Sequence, residues 1–340
     1  LEPDHWLAGG GLLLGILFGA AAQRSRFCVV SAVSNLALMR DYRQLHAWLA
    51  ALGVALIGTG LLEWSGLVAV ADSTYRRPSL DWLGTLGGGL IFGYGSMLAG
   101  GCASRTLVRC AEGNLGAMIT LLAFALTGMA TLFGVLDPVR GWIASHALHL
   151  ASGDASLAAI AGVPHWGAGL SLALLCLCGI LLLGRAREHL GLIWAGAAIG
   201  LAVAAGWWVT GVLAYDEFAD RPPWSLAVAG PLARTFAWLS MHQSTGTLFS
   251  LLFIPGVLAG SLASSLLSGP FRWVAPDASR VGACIGGGAL MGVGAVLAGG
   301  CNIGQGITGV ATVSASSLLA ATGILGGMLL GLWNMNSTGG

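Results

Sequence analysis

The chain has 340 residues, of which 56% are hydrophobic and 9% are Asp, Glu, Lys or Arg, against about 25% charged residues in an ordinary soluble domain. With a mean hydropathy of +0.82 and 55 glycines, it cannot cover a water-facing surface with polar groups, so a soluble fold is excluded and a single membrane domain over 1–340 is expected. The formal net charge of +1 is carried by 15 Arg without any Lys, which argues against nucleic acid as a partner.

In chain order, apolar runs near the ~20 residues needed to cross a bilayer lie at about 7–23, 46–71, 82–101, 114–136, 166–184, 190–214, 245–267, 281–300 and 316–333. The fold class is therefore all-α integral membrane. Nothing basic precedes the first run and no Ala-x-Ala follows it, so it is read as structural rather than as a signal peptide. Short connections hold most of the charge, and the pair Arg185 and Arg187 suggests a cytoplasmic turn there, because Arg concentrates on the inner side. An acidic stretch, Asp216-Glu217-Phe218-Ala219-Asp220, suggests the opposite face. Trp6, Trp48, Trp64, Trp82, Trp142, Trp166, Trp224 and Trp273 sit near run ends and read as interfacial anchors. Glu63, beside Trp64, is expected at the membrane surface. An interfacial helix is expected at about 139–151, carrying His146 and His149.

Internal similarity is the most informative signal. Gly87-Gly-Gly-Leu-Ile-Phe-Gly-Tyr-Gly-Ser-Met-Leu-Ala-Gly-Gly-Cys102 aligns without a gap on Gly286-Gly-Gly-Ala-Leu-Met-Gly-Val-Gly-Ala-Val-Leu-Ala-Gly-Gly-Cys301, with ten of sixteen positions identical. Upstream, Gly15 and Gly19 resemble Gly196 and Gly200 in spacing. Two repeats of about 7–136 and 190–333 are expected, inverted relative to one another as in many transporters. In that register Cys28 falls opposite Val209 and has no twin.

In each repeat an apolar run stops at Gly-Gly-Cys and turns polar, through Ser104 and Arg105 after Cys102 and through Asn302 and Gln305 after Cys301. A break within the membrane leaves backbone N–H and C=O groups that lipid cannot satisfy, so it is tolerated only inside the protein or along a cavity. Gly100, Gly101, Gly299 and Gly300 permit the tight turn, and the amides that follow can attract an anion. A thiol in the same space is a weak, polarizable donor. Apolar surroundings favour its neutral S–H form, which suits a soft anion with terminal sulfur and holds it loosely enough to pass on. A third thiol follows Gln23-Arg24-Ser25-Arg26-Phe27 as Cys28, and Arg24 and Arg26 could concentrate anions at a mouth.

The remaining cysteines, Cys110, Cys176, Cys178 and Cys284, offer no disulfide framework, and free thiols are expected. Cys176 and Cys178, two apart on a helix, point in different directions and read as packing. A copper or zinc carrier would need converging His, Met or carboxylate ligands, and a thiol enzyme would need a base or a resolving cysteine beside its nucleophile. Neither accompanies Cys28, Cys102 or Cys301, so catalytic residues, metal and cofactor are all expected to be none. A channel for a small anion is not separated from a carrier by these residues.

The combination of Gln23-Arg-Ser-Arg-Phe-Cys28, Leu98-Ala-Gly-Gly-Cys102 with Thr106-Leu-Val-Arg109, and Gly299-Gly-Cys-Asn-Ile-Gly-Gln-Gly306 resembles the YeeE/YedE family of bacterial inner-membrane proteins, which includes thiosulfate transporters. The resemblance implies an hourglass of two pseudo-symmetric halves, with broken or re-entrant helices around a central cysteine-lined pathway. It also implies import of thiosulfate by relay between S–H groups at Cys28, Cys102 and Cys301, and a cytoplasmic sulfur-carrier protein of the TusA type as a partner. Other sulfur or selenium species are the alternative cargo.

Overall fold

The structure, a computed structural model, describes residues 3–149, 154–184, 186–216, 221–241, 248–269 and 271–338. Its helices are α1 (Pro3–Ser25), α2 (Val29–Met39), α3 (Arg43–Trp64), α4 (Trp82–Leu98), α5 (Ala103–Ala111), α6 (Leu115–Phe133), α7 (Asp137–Ala144), α8 (Leu157–Ala161), α9 (His165–Leu182), α10 (Leu190–Trp208), α11 (Ala229–Met241), α12 (Leu248–Ser268), α13 (Ala278–Leu297) and α14 (Ala315–Thr338). Val209–Leu213 and Gly304–Gly309 are π-helical. The single sheet among the described residues is a two-residue pair, β1 (Ser79–Leu80) against β2 (Leu148–His149).

Among the described residues, nine stretches are long and apolar enough to cross a bilayer, and each contains most of one of the nine apolar runs. The protein is a multi-pass helical membrane protein. Large apolar side chains such as Leu13, Leu182 and Leu267 stay exposed on the outside, as a lipid-facing surface requires. Two boundaries differ from expectation. The run at 46–71 stops being helical at Trp64, and the chain then forms the connection up to Asp81. The helix expected over 139–151 ends at Ala144. There the Ser145 hydroxyl donates to the Trp142 carbonyl and His146 Nδ1 lies 2.9 Å from the same oxygen, competing with the helical ladder; His149 pairs with Ser79 instead.

Glycine sets which helices meet. A Cβ at Gly15 would stand 2.5 Å from the Phe253 carbonyl oxygen, and one at Gly200 would stand 2.3 Å from that of Ala51. Only bare backbone allows α1 to lie on α12, and α10 on α3, at such range. Gly89 and Gly93 bring α4 against Ala320 and Ile324 of α14, while Gly288 and Gly292 bring α13 against Thr120 and Phe124 of α6. Between these pairs α4 and α13 run antiparallel, Gly95 beside Gly287 and Gly88 beside Gly294. Each helix therefore carries its C-terminal break to a different end of the crossing.

Candidate functional site

The first break after α1 is made by Arg26, which takes a left-handed φ of 51°, and by the Phe27 N–H, which reaches back to the Ala22 carbonyl. Cys28 follows in extended conformation as the N-cap of α2. The break after α4 uses Gly100 at φ 71°, and Cys102 becomes the N-cap of α5 in the same way. Both thiols are buried. The Cys28 sulfur faces the thiol and backbone N–H of Cys102 and the N–H and hydroxyl of Ser31. The Cys102 sulfur lies 3.3 Å from the Ser104 hydroxyl and faces the Arg105 N–H. Two helix N-termini thus converge with a thiol at each, a concave set of N–H, O–H and S–H donors.

Arginine surrounds this station on one side. Gln23, Arg24, Arg26, Arg105, Glu112 and Ser268 line a cavity of ≈ 350 Å³, and Arg24, Arg40, Arg43, Glu188 and His189 are among those lining another of ≈ 910 Å³. Arg105 pairs with Glu112 at 3.4 Å. Gln23 is fixed at both ends, accepting from the Ser264 hydroxyl at 2.8 Å and donating to Glu112 at 3.4 Å.

Cys301, buried like the others, belongs to a separate station at the break after α13. Gly299 repeats the φ of 71° seen at Gly100, and the π-helical Gly304–Gly309 takes the place of the α-helix that follows Cys102. Gln305 stabilises this turn: its amide donates to the Ala298 carbonyl at 3.0 Å and accepts from Ser317 at 2.6 Å. Tyr75 lies beside Cys301, with its hydroxyl against Gly304 and its ring edge against Gly309. The ring packs against Trp207 and Trp224, both with centroids at 6.1 Å. Burial, and then the neighbouring Cys301, push the Tyr75 hydroxyl pKa well up, so it remains a neutral donor.

The segment carrying Tyr75 is pinned. Its carbonyl accepts from Ser314 and Ser316. Next to it, the buried Arg76 donates to both carboxylate oxygens of Glu63, at 2.6 and 2.9 Å, and to the Thr312 carbonyl at 3.0 Å. Glu63 is therefore an ion-pair partner of a buried arginine rather than a free surface carboxylate.

Of the residues singled out from sequence, Cys28, Cys102, Ser104 and Arg105 come together, with Arg24 and Arg26 lining the adjoining cavities. Cys301, Gly299, Gly300, Asn302 and Gln305 form the second group. Gly101 and Gly300 sit behind the turns, where a Cβ would meet Arg105 and Gln305 respectively. Trp48 and Trp224 are not exposed anchors: their indole Nε1 atoms are buried and, like Trp207 Nε1, without a hydrogen-bond partner. Tyr75, Gln23 and Glu112 were not singled out as site residues. Tyr75 is masked in the sequence by its charged neighbours Asp72, Arg76, Arg77 and Asp81, which read as a solvated loop. Cys176 is buried and Cys178 exposed, as their spacing requires. Among the described residues, no group of three His, Cys, Asp or Glu is assembled that could hold a metal ion.

Fold and site together define a multi-pass α-helical membrane protein with buried thiols at interior helix breaks, an arrangement suited to passing a small anion. Residues 24–330 match the family model described as sulphur transport, and the chain belongs to that family, the YeeE/YedE group resembled by its motifs. It is 29% identical over 340 residues to the thiosulfate transporter TsuA of Spirochaeta thermophila, covering 96% of this chain and 97% of that one. It is 27% identical to the thiosulfate transporter TsuA of Escherichia coli, covering 95% and 92%. A shorter match, 28% over 109 residues, joins it to the probable transporter YedE of Escherichia coli.

Proposed function

We propose that this protein imports thiosulfate across a bacterial inner membrane, handing the anion from Cys301 to the Cys102 and Cys28 pair by S–H hydrogen bonds. The observation that carries this reading is the convergence of Cys28 and Cys102, each the N-cap of its own helix, with their thiols facing one another. Amide N–H, hydroxyl and thiol donors meet there, and they stabilise an anion without the strong attraction of an arginine at contact range. Thiosulfate transporters among the relatives support the choice of cargo. The sulphur-transport family and the transporters among the relatives favour transport over catalysis.

The contacts of α1 with α12, α10 with α3, α4 with α14 and α13 with α6 exchange under one another. That reciprocity, with α4 and α13 antiparallel, favours two inverted pseudo-symmetric halves over 7–136 and 190–333 around an hourglass waist. The arginine-lined cavities beside Cys28 favour that face as cytoplasmic, and a sulfur-carrier protein of the TusA type would collect the anion there.

The test is uptake of labelled thiosulfate, or growth on it as sole sulfur source, in cells stripped of other sulfate and thiosulfate importers. The parent should support growth, and Cys102→Ala and Cys301→Ala should abolish it. Parental uptake in both variants would overturn the relay.

A further inference from the structure

The two thiol stations lie at different ends of the α4 and α13 crossing, so an anion leaving Cys301 needs something to hold it before it reaches Cys102. Gly306, in the π-helical turn just past Cys301, lies against two side chains. A Cβ built there would lie 3.0 Å from Asn302 Oδ1 and 3.9 Å from Trp48 Cζ2. Cζ2 is on the same edge of the indole as Nε1, so Trp48 presents its N–H edge towards this glycine. Trp48 Nε1 and Asn302 Nδ2 are both buried and both lack a hydrogen-bond partner, and Asn302 is only 4% exposed.

A buried N–H without an acceptor is destabilising, and here two such donors belong to the two side chains that meet at Gly306. An Asn amide can turn its N–H₂ or its oxygen to the same point. What would satisfy both donors is an acceptor-only guest. Trp48 also stands on the helix that approaches the first station. One turn before it on α3, Gln44 donates to the Ser25 carbonyl at 3.2 Å, three residues before Cys28. π-helical turns of this kind recur at functional sites.

We infer that Trp48 Nε1 and the Asn302 amide form an intermediate binding station for the transported anion, cradled by Gly306 between Cys301 and the Cys28 and Cys102 pair. The station rests on the thiosulfate reading above and adds two specificity-determining residues to it. Uncharged N–H donors hold a sulfur oxyanion without trapping it, whereas a carboxylate at the same place would repel it.

Three conservative variants test the station in proteoliposomes loaded for labelled thiosulfate uptake: Trp48→Phe, which keeps the ring and deletes the N–H; Asn302→Asp, which replaces the amide by a carboxylate; and Gly306→Ala, which fills the cradle. Loss of one hydrogen bond to an anion corresponds to roughly tenfold or more in occupancy. Trp48→Phe should therefore cut uptake about tenfold, with Asn302→Asp lower still. Thiosulfate should raise the unfolding temperature of the parent in detergent and raise that of Trp48→Phe less, which a merely structural Trp48 would not give. Parental uptake by both Trp48→Phe and Asn302→Asp, with Cys301→Ala inactive, overturns the station and leaves the thiosulfate reading intact. Absence of thiosulfate uptake by the parent overturns that reading and the station with it.

Discussion

Gly88 and Gly294 face each other where α4 crosses α13: a Cβ on Gly88 would lie 2.8 Å from the Gly294 carbonyl oxygen, and one on Gly294 would lie 2.7 Å from the Gly88 carbonyl oxygen. The contact is backbone on backbone in both directions, and neither helix can yield without dragging its Gly-Gly-Cys break with it. Gly88→Leu or Gly294→Val forces a side chain into this space, and overpacking costs about 1–3 kcal/mol or more. Both variants should show a lower unfolding temperature in detergent and a smaller folded fraction on size exclusion, whereas Gly286→Ala, where a Cβ meets nothing within 4 Å, should match the parent.

Cys28 and Cys102 lie within side-chain hydrogen-bonding reach, so mild oxidation should join them. A disulfide here would consume both S–H donors and block the proposed pathway. Diamide should lower uptake, dithiothreitol should restore it, and peptide mapping should find the 28–102 crosslink. Cys178, which is exposed, should instead be alkylated freely by a lipid-soluble maleimide without loss of uptake.

Arg76 is buried, with Glu63 as its closest carboxylate and Asp154 at 3.9 Å. Removing one partner of a buried ion pair leaves an uncompensated charge, on the order of 3 kcal/mol. Glu63→Gln should lower thermal stability accordingly, and the double variant Glu63→Leu with Arg76→Met should recover most of the loss. Since Arg76 also holds the Thr312 carbonyl, Glu63→Gln should raise hydrogen exchange in the segments around Tyr75 and Thr312 first.

Burial raises the Tyr75 hydroxyl pKa, and Cys301 adds to the shift. An unfolded tyrosine titrates near about 10, and a group whose folded pKa is higher contributes its full stability below the unfolded value and loses it as pH rises above that value. Stability should therefore be insensitive to this group up to about pH 9 and should decline above about pH 10. Tyr75→Phe should flatten that alkaline decline, measured as unfolding temperature against pH.

Much of the architecture was legible before any coordinates. Each apolar run became a spanning stretch because bilayer thickness imposes a length that soluble folds do not. The helix breaks at Cys102 and Cys301 were legible because Gly-Gly followed by polar residues is intolerable in lipid. The place of Tyr75 beside Cys301 was hidden because Tyr75 sits among charges that look solvated: Asp72 and Arg77 are indeed exposed, and Arg76 alone turns inward, where Glu63 and the Thr312 carbonyl receive it. Trp48 and Trp224 read as anchors because position near a run end says nothing about which way an indole faces.

The sequence by itself determined that this is a helical membrane protein, where two of its helices stop, and that thiols stand at the stops, since these follow from local composition and backbone freedom. Only the tertiary structure decided that Cys102 faces Cys28 rather than Cys301, the thiol with which it aligns in sequence. That pairing joins residues far apart in sequence, and it depends on which glycine faces let one helix approach another, a property of surfaces in three dimensions that no single segment encodes.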